Sequence, residues 1–120
     1  AGGKITALPF KVNHGDIDAL GFRFQDLAYT PDVKDIPESS LPALQGLDTW
    51  IVDALRRKPH QSHFCLDDAL EWIGKLKPNK AILTNLHCDL DYQQLTSELP
   101  DNVSPAFDGR TIEFPAHATA

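Results

Sequence analysis

The sequence predicts a layered α/β fold, a mixed sheet flanked by helices, on three observations. Apolar runs of strand length alternate with segments whose apolar residues fall at helical spacing. Turn and breaker groups such as Asn13-His14-Gly15-Asp16 and Pro78-Asn79 separate the two kinds of segment. Strongly polar residues stand just past the ends of the apolar runs, where open α/β sheets keep their ligand sites.

The elements follow in order. Lys4–Val12 reads as a strand, apolar at Ile5, Leu8, Phe10 and Val12, with Pro9 marking an edge or a bend. Leu20–Phe24 and Leu27–Thr30 read as short strands joined at Gln25-Asp26, and Gly21 suits a close backbone approach. Leu41, Leu44 and Leu47 indicate a short helix, and Pro37 and Pro42 both fit its first turn. Thr49–Leu55 is a buried strand that contains Asp53. Residues 66–77 are the clearest helix, because Leu66, Ala69, Leu70, Ile73 and Leu76 keep one face apolar. Asp67 and Asp68 in its first turn and Lys75 and Lys77 in its last complement the helix dipole. Ala81–Leu86 is a second buried strand, and a helix over Tyr92–Leu99 starts at the capping pattern Asp91-x-x-Gln94. Residues 100–110 read as loop, Thr111–Phe114 as a last strand, and the remainder as a tail. The order is β-β-β-α-β-α-β-α-β, without an internal repeat.

A chain of 120 residues holds at most one domain with a modest core. Its 42% hydrophobic and 23% charged content is that of an ordinary globular protein. The formal net charge of −6, spread along the chain, argues against unspecific binding to nucleic acid or to an anionic membrane. Cys65 and Cys88 form no C-x-x-C pair, which excludes a zinc ribbon or thioredoxin motif. With no signal-peptide pattern and no apolar segment of spanning length, a cytoplasmic location and no membrane partner are expected. Methionine is absent, including at position 1, so the numbered chain is expected to lack a natural start.

Four polar positions recur at strand ends or adjoining loops: His14, Asp32, His63 and His87. Imidazole and carboxylate suit zinc, manganese or iron with an open coordination position. One aspartate can also bridge two ions. Each position has a plainer reading as well. Loop histidines are commonly solvated, which is the expectation for His60 and His117. Asp32 after Pro31 fits a turn residue bonded to its own backbone. Asp53 needs a partner if buried, and either supports a ligand from behind or sits at an exposed strand end. Asp89 and Asp91 fit the acids of a helix start, and Cys88 fits packing, since acidic neighbours do not favour a thiolate. Spacing leaves both readings open.

Five blocks sharpen this. Asn13-His14-Gly15, Ala28-Tyr29-Thr30-Pro31-Asp32, His63-Phe64-x-Leu66-x-x-Ala69-Leu70, Ala81-Ile82-Leu83-Thr84-Asn85-Leu86-His87-x-Asp89-Leu90-Asp91-Tyr92 and Pro105-Ala106-Phe107-Asp108-Gly109 occur in this order. Together they resemble the C-terminal half of metallo-β-lactamase-fold hydrolases, in the branch of phosphoribosyl cyclic phosphodiesterase and, more distantly, tRNase Z. The resemblance implies half of an αββα sandwich over residues 1–114, with 115–120 as a tail. It also implies a phosphodiesterase that uses water activated by two divalent ions, zinc or manganese, with this chain supplying part of the site. His14 would be a metal ligand, Asp32 the bridging aspartate with a catalytic part, and His87 the last metal histidine, in preference to Asn85. His63 would be the catalytic, non-ligand histidine that gives a proton to the leaving oxygen. Asn85 and Asp108 would lie near the substrate, although a β-turn explains Asp108-Gly109 equally well. The fold also hosts lactone and thioester hydrolases, and a catalytically incomplete pairing half-domain is the non-enzymatic reading.

The family's string His-x-His-x-Asp-His, which supplies most ligands of both ions, does not occur in these residues. The expected ligand set is therefore partial. The expected partners are a small phosphodiester or nucleotide-like substrate, and a second copy or the first half of the sandwich to cover an apolar sheet face.

Overall fold

The structure, a computed structural model, describes residues 6–87 and 90–112. Among the described residues, six strands form one sheet in the order β1-β2-β3-β4-β5-β6. They are β1 (Leu8–His14), β2 (Ile17–Phe24), β3 (Leu27–Thr30), β4 (Thr49–Asp53), β5 (Lys80–Thr84) and β6 (Val103–Pro105). The helices are α1 (Leu66–Leu76) and α2 (Tyr92–Glu98), with a 3-10 helix over Glu38–Leu44. Among the described residues, no helix is long and apolar enough to cross a membrane.

Strand alternation decides which side becomes the core. Phe10 and Val12 of β1 stand opposite Gly21 and Ala19 of β2. The same face continues through Ala28, Trp50, Val52, Ala81, Leu83 and Val103, all buried. Leu44, Leu66, Ala69, Ile73 and Leu95 pack onto it from the helical layer. Each large side chain buried there contributes about 1.5–3 kcal/mol. The Trp50 indole N–H donates to Thr30 Oγ1 at 3.0 Å, so that buried donor is satisfied. Gly21 is required by this packing, because a Cβ there would lie 2.5 Å from the Phe10 ring and 2.9 Å from Thr30 Cγ2.

The pairs β3–β4, β4–β5 and β5–β6 are all parallel and in sequence order. Parallel crossovers are right-handed. Three crossovers advancing in one direction therefore deliver their helices to one face of the sheet. The opposite face keeps Leu20 and Tyr29 exposed and Phe22, Leu27 and Ile51 partly so.

The sequence expectation holds for the α/β layering and the mixed sheet, with local corrections. β1 runs from Leu8 to His14, with Thr6 and Ala7 not in the strand and Lys4 and Ile5 outside the described residues, and β2 starts at Ile17 rather than Leu20, because the turn is held to Gly15 and Asp16. Pro9 lies on an edge strand, where a missing N–H breaks no ladder on the outer side. The helix expected around Leu41–Leu47 is a 3-10 segment with Pro42 inside it, since proline offers no N–H for a longer helix. β4 ends at Asp53, two residues early. The segment 100–110 expected as loop contains β6, a three-residue edge strand whose Pro105 disguises it. Thr111 and Ile112 are not in a strand, and the rest of the strand expected over Thr111–Phe114, with the tail 115–120, lies outside the described residues. At α1, the Cys65 amide donates to Asp68 Oδ2 at 3.2 Å and Lys77 closes the helix in the left-handed region. Asp91 caps α2 by accepting the Gln93 amide at 3.3 Å.

Two glycines test this packing in opposite directions. Gly21→Ala should destabilise the fold by about 1–3 kcal/mol through overpacking. Gly74→Ala, inside α1 with nothing within 4 Å of the added Cβ, should stabilise it by about 0.5–1 kcal/mol. Urea unfolding midpoints at unchanged slope would measure both.

Candidate functional site

β1 is antiparallel to β2, and β2 is antiparallel to β3. β1 therefore runs in the same direction as β3 through β6, and the carboxyl ends of five strands meet at one edge of the sheet. His14 is the last residue of β1 and Asp53 the last of β4. Asp32 follows β3, Asn85 and His87 follow β5, and Asp108 follows β6. His63 stands in the loop between β4 and α1. The topology alone gathers the polar residues that the sequence scatters.

Three of them converge. One ligand atom each from His14, Asp32 and His63 lies within 4.8 Å of the others, close enough to share an ion. Hydrogen bonds behind the rings set their tautomers. His14 Nδ1 lies 2.6 Å from the Ser62 carbonyl oxygen. A carbonyl only accepts, so Nδ1 carries the hydrogen and Nε2 keeps its lone pair for the site. Gly15 makes this approach possible, since at φ +73° it turns tightly and a Cβ would lie 2.9 Å from Ser62 Cβ.

His63 Nδ1 lies 2.6 Å from Asp53 Oδ2. Asp53 is fully buried. Its Oδ2 also accepts the Val33 amide at 3.2 Å, and its Oδ1 accepts Asn85 Nδ2 at 3.4 Å. Burial pushes the Asp53 carboxyl above its ordinary range, and the bonds from His63, Val33 and Asn85 offset that only in part. Of the two readings the sequence left open for Asp53, the structure shows buried support behind His63.

His60, expected to be solvated, is half-buried and packs its ring edge-on against His63, with centroids 5.2 Å apart. Its Nδ1 accepts the Ser62 amide at 3.1 Å and so shapes the loop that carries the Ser62 carbonyl. Its pKa is lowered by partial burial and then by the nearby charges of Arg56 and His63.

The remaining expected site residues fall around the trio. His87 lies outside the group of three, with its imidazole exposed and its amide bonded to the Leu55 carbonyl at 2.7 Å. Asn85 adopts φ +65°, a conformation asparagine tolerates, and turns its amide toward Asp53 and the Pro31 carbonyl. Asn85 and Asp108 both line a cleft of about 370 Å³ with Thr84, Leu86, Ala106 and Phe107. A larger hollow of about 600 Å³ around Lys80, Asp101 and Arg110 opens at the amino ends of β5 and β6, away from the imidazoles. Cys65 is buried and its thiol is pushed up by burial, which disfavours a nucleophilic thiolate. Cys88, Asp89 and His117 lie outside the described residues.

The model of the beta-lactamase superfamily domain matches residues 1–85. The chain belongs to the beta-lactamase superfamily. A solved diphosphatase of the PhnP family is 37% identical, with a TM-score of 0.88 over 91% of this chain and 43% of that one. The short form of human tRNase Z is 15% identical, with a TM-score of 0.71 over 97% of this chain and 46% of that one, a likeness of fold. An octanoyltransferase of Porphyromonas gingivalis is 29% identical over 108 residues, which are 88% of this chain and 22% of that protein. The chain thus spans less than half of each of these proteins. The metallo-β-lactamase fold family is hydrolytic.

Asp53 in this superfamily member allows a stability test with a definite sign. A carboxyl raised above its ordinary value of 3.8 binds its proton more tightly in the folded state. Its contribution to stability is complete below that value and is lost as pH rises through the folded-state pKa. Asp53→Asn, which does not ionise, should therefore gain thermal stability relative to the parent as pH rises above that value. Asp53→Ala, which leaves the Val33 amide without its acceptor, should lose about 1–3 kcal/mol. Melting curves across that pH range would check both.

Proposed function

We propose that the carboxyl edge of this sheet is part of the active site of a metal-dependent phosphodiester hydrolase. The observation that carries the reading is the convergence of His14, Asp32 and His63, with His63 backed by the buried Asp53 carboxylate. The likeness to a PhnP-family diphosphatase at 37% identity supports phosphorus chemistry. Activity belongs, in this reading, to a domain of which these residues are one part.

The donor set fits divalent ions, zinc or manganese. His14 presents Nε2, and Asp32 adds a carboxylate able to bridge two ions. His87, at the same sheet edge, is assigned to the ligand set on the resemblance of its strand end. Bound ions would supply Lewis-acid activation of water and neutralise the phosphate oxygens.

The chain's own residues do the rest. The Ser62 carbonyl holds His14 in one tautomer, so the ring is oriented before a ligand arrives. Asp53 holds His63 with Nδ1–H directed inward, which leaves Nε2 facing the trio. As the oxygen of water bonds to phosphorus and the bond to the leaving oxygen breaks, protonated His63 donates from Nε2 to that oxygen. The attacking water gives up its proton to solvent and His63 takes one back from solvent, so one water is consumed and the imidazole returns to its starting form. The substrate is a small phosphodiester, and the open sheet face is covered by a second copy or by the other sheet of the sandwich.

His63→Ala should reduce turnover of a cyclic or aryl phosphodiester by about 10²–10⁴-fold, the usual worth of a positioned acid. Metal content, measured by elemental analysis, should stay unchanged. Metal loss in that variant would instead place His63 among the ligands, and a lactone hydrolysed in preference to the phosphodiester would overturn the choice of bond.

A further inference from the structure

Two large aromatic side chains stand exposed beside the site. Phe107 is 53% and Tyr92 43% exposed. Their rings meet at 85° with centroids 5.7 Å apart, so they form a right-angled corner. A hollow of about 310 Å³ is bounded, among the described residues, by these two alone. Edge-to-face pairing holds such rings in place without help from a core. Arg110 backs the corner, with its guanidinium carbon 5.7 Å from the Phe107 ring centroid. That guanidinium is itself anchored, donating to Ser104 Oγ at 3.0 Å and to the Pro105 carbonyl at 2.8 Å.

The corner is continuous with the proposed active site. Phe107 is also a wall of the 370 Å³ cleft, whose inner side carries Asn85. Asn85 Nδ2 reaches Asp53, and Asp53 holds His63. The cleft therefore has a residue bonded to the support of the proton donor on one wall and the exposed ring on another. Single exposed aromatics are ordinary. A fixed perpendicular pair at the mouth of a polar cleft is a preorganised surface for a flat ring, which can stack on one member while its edge meets the other.

We propose that Tyr92 and Phe107 form a stacking corner for the base of a nucleotide-type substrate whose phosphate lies at the carboxyl edge. This inference rests on the phosphodiester reading above and narrows its substrate class. The recognition is by π-face, so it tolerates different bases, and a stacked base contributes about 1–3 kcal/mol, or roughly 5- to 150-fold in affinity.

The test compares two probes on the purified, metal-loaded protein: adenosine 5′-monophosphate and ribose 5-phosphate, which lacks the base. Calorimetric titration should show the nucleotide binding about 5- to 150-fold more tightly. Phe107→Ala should abolish that preference and leave ribose 5-phosphate unchanged, and Phe107→Trp should keep it. The corner is overturned if the nucleotide binds no better than ribose 5-phosphate, including the case in which neither binds. It is also overturned if Phe107→Ala weakens both probes alike or unfolds the protein, since the ring would then be structural. Hydrolysis of a cyclic nucleotide, scored separately, keeps the two readings apart. Base preference without hydrolysis removes the phosphodiesterase and retains the corner; hydrolysis without base preference removes the corner alone.

Discussion

A single buried carboxylate ties the site to the fold. Asp53 closes β4 at the carboxyl edge and is fully buried there. An uncompensated charge in that position would be costly. Its two oxygens therefore hold three donors: the Val33 amide after β3, the His63 imidazole after β4, and the Asn85 amide after β5. Three loops from three adjacent strands are fixed through one side chain. Removing any donor leaves the carboxylate less compensated, so the loops depend on one another. Function and stability pull in opposite directions at this residue, because the charge that orients His63 is the form that burial disfavours.

The rest of the architecture follows from a rule of hand. Four parallel strands in sequence order, joined by right-handed crossovers, put every helix on one face. That face is the apolar core built on Trp50, Val52, Ala81 and Leu83. The same parallelism aligns the strand ends, so the covered face and the chemical edge have a common cause. The other face, with Leu20 and Tyr29 exposed, keeps partly apolar surface available for covering.

Much of this was legible in the chain. Period-2 and period-3.6 apolar patterns located β3, β4, β5 and α1, and breaker residues set most of their ends. His14, Asp32 and His63 could be singled out because polar residues past a buried strand are poor candidates for the core. What failed did so for local reasons. Val103–Pro105 is too short to show alternation, and its proline argues against a strand unless its edge position is known. Pro42 inside a helical pattern gave no sign that the segment would wind as a 3-10 helix. His60 lacked any apolar or ligand spacing that would separate it from a solvated loop residue.

By itself, then, the sequence determined the alternation of elements, the apolar face of α1, the family, and the residues with chemistry to offer. These depend on local periodicity and on side-chain type, both of which are written along the chain. Tertiary structure alone decided which of those residues meet. His63 lies 49 residues from His14 in number yet its ring stands 4.7 Å away, centroid to centroid. The buried bond from Asp53, the carbonyl of Ser62 behind His14 and the corner of Tyr92 with Phe107 are likewise contacts between distant segments. Their partners are fixed by strand direction and crossover hand, which act through space and leave no spacing in the sequence to read.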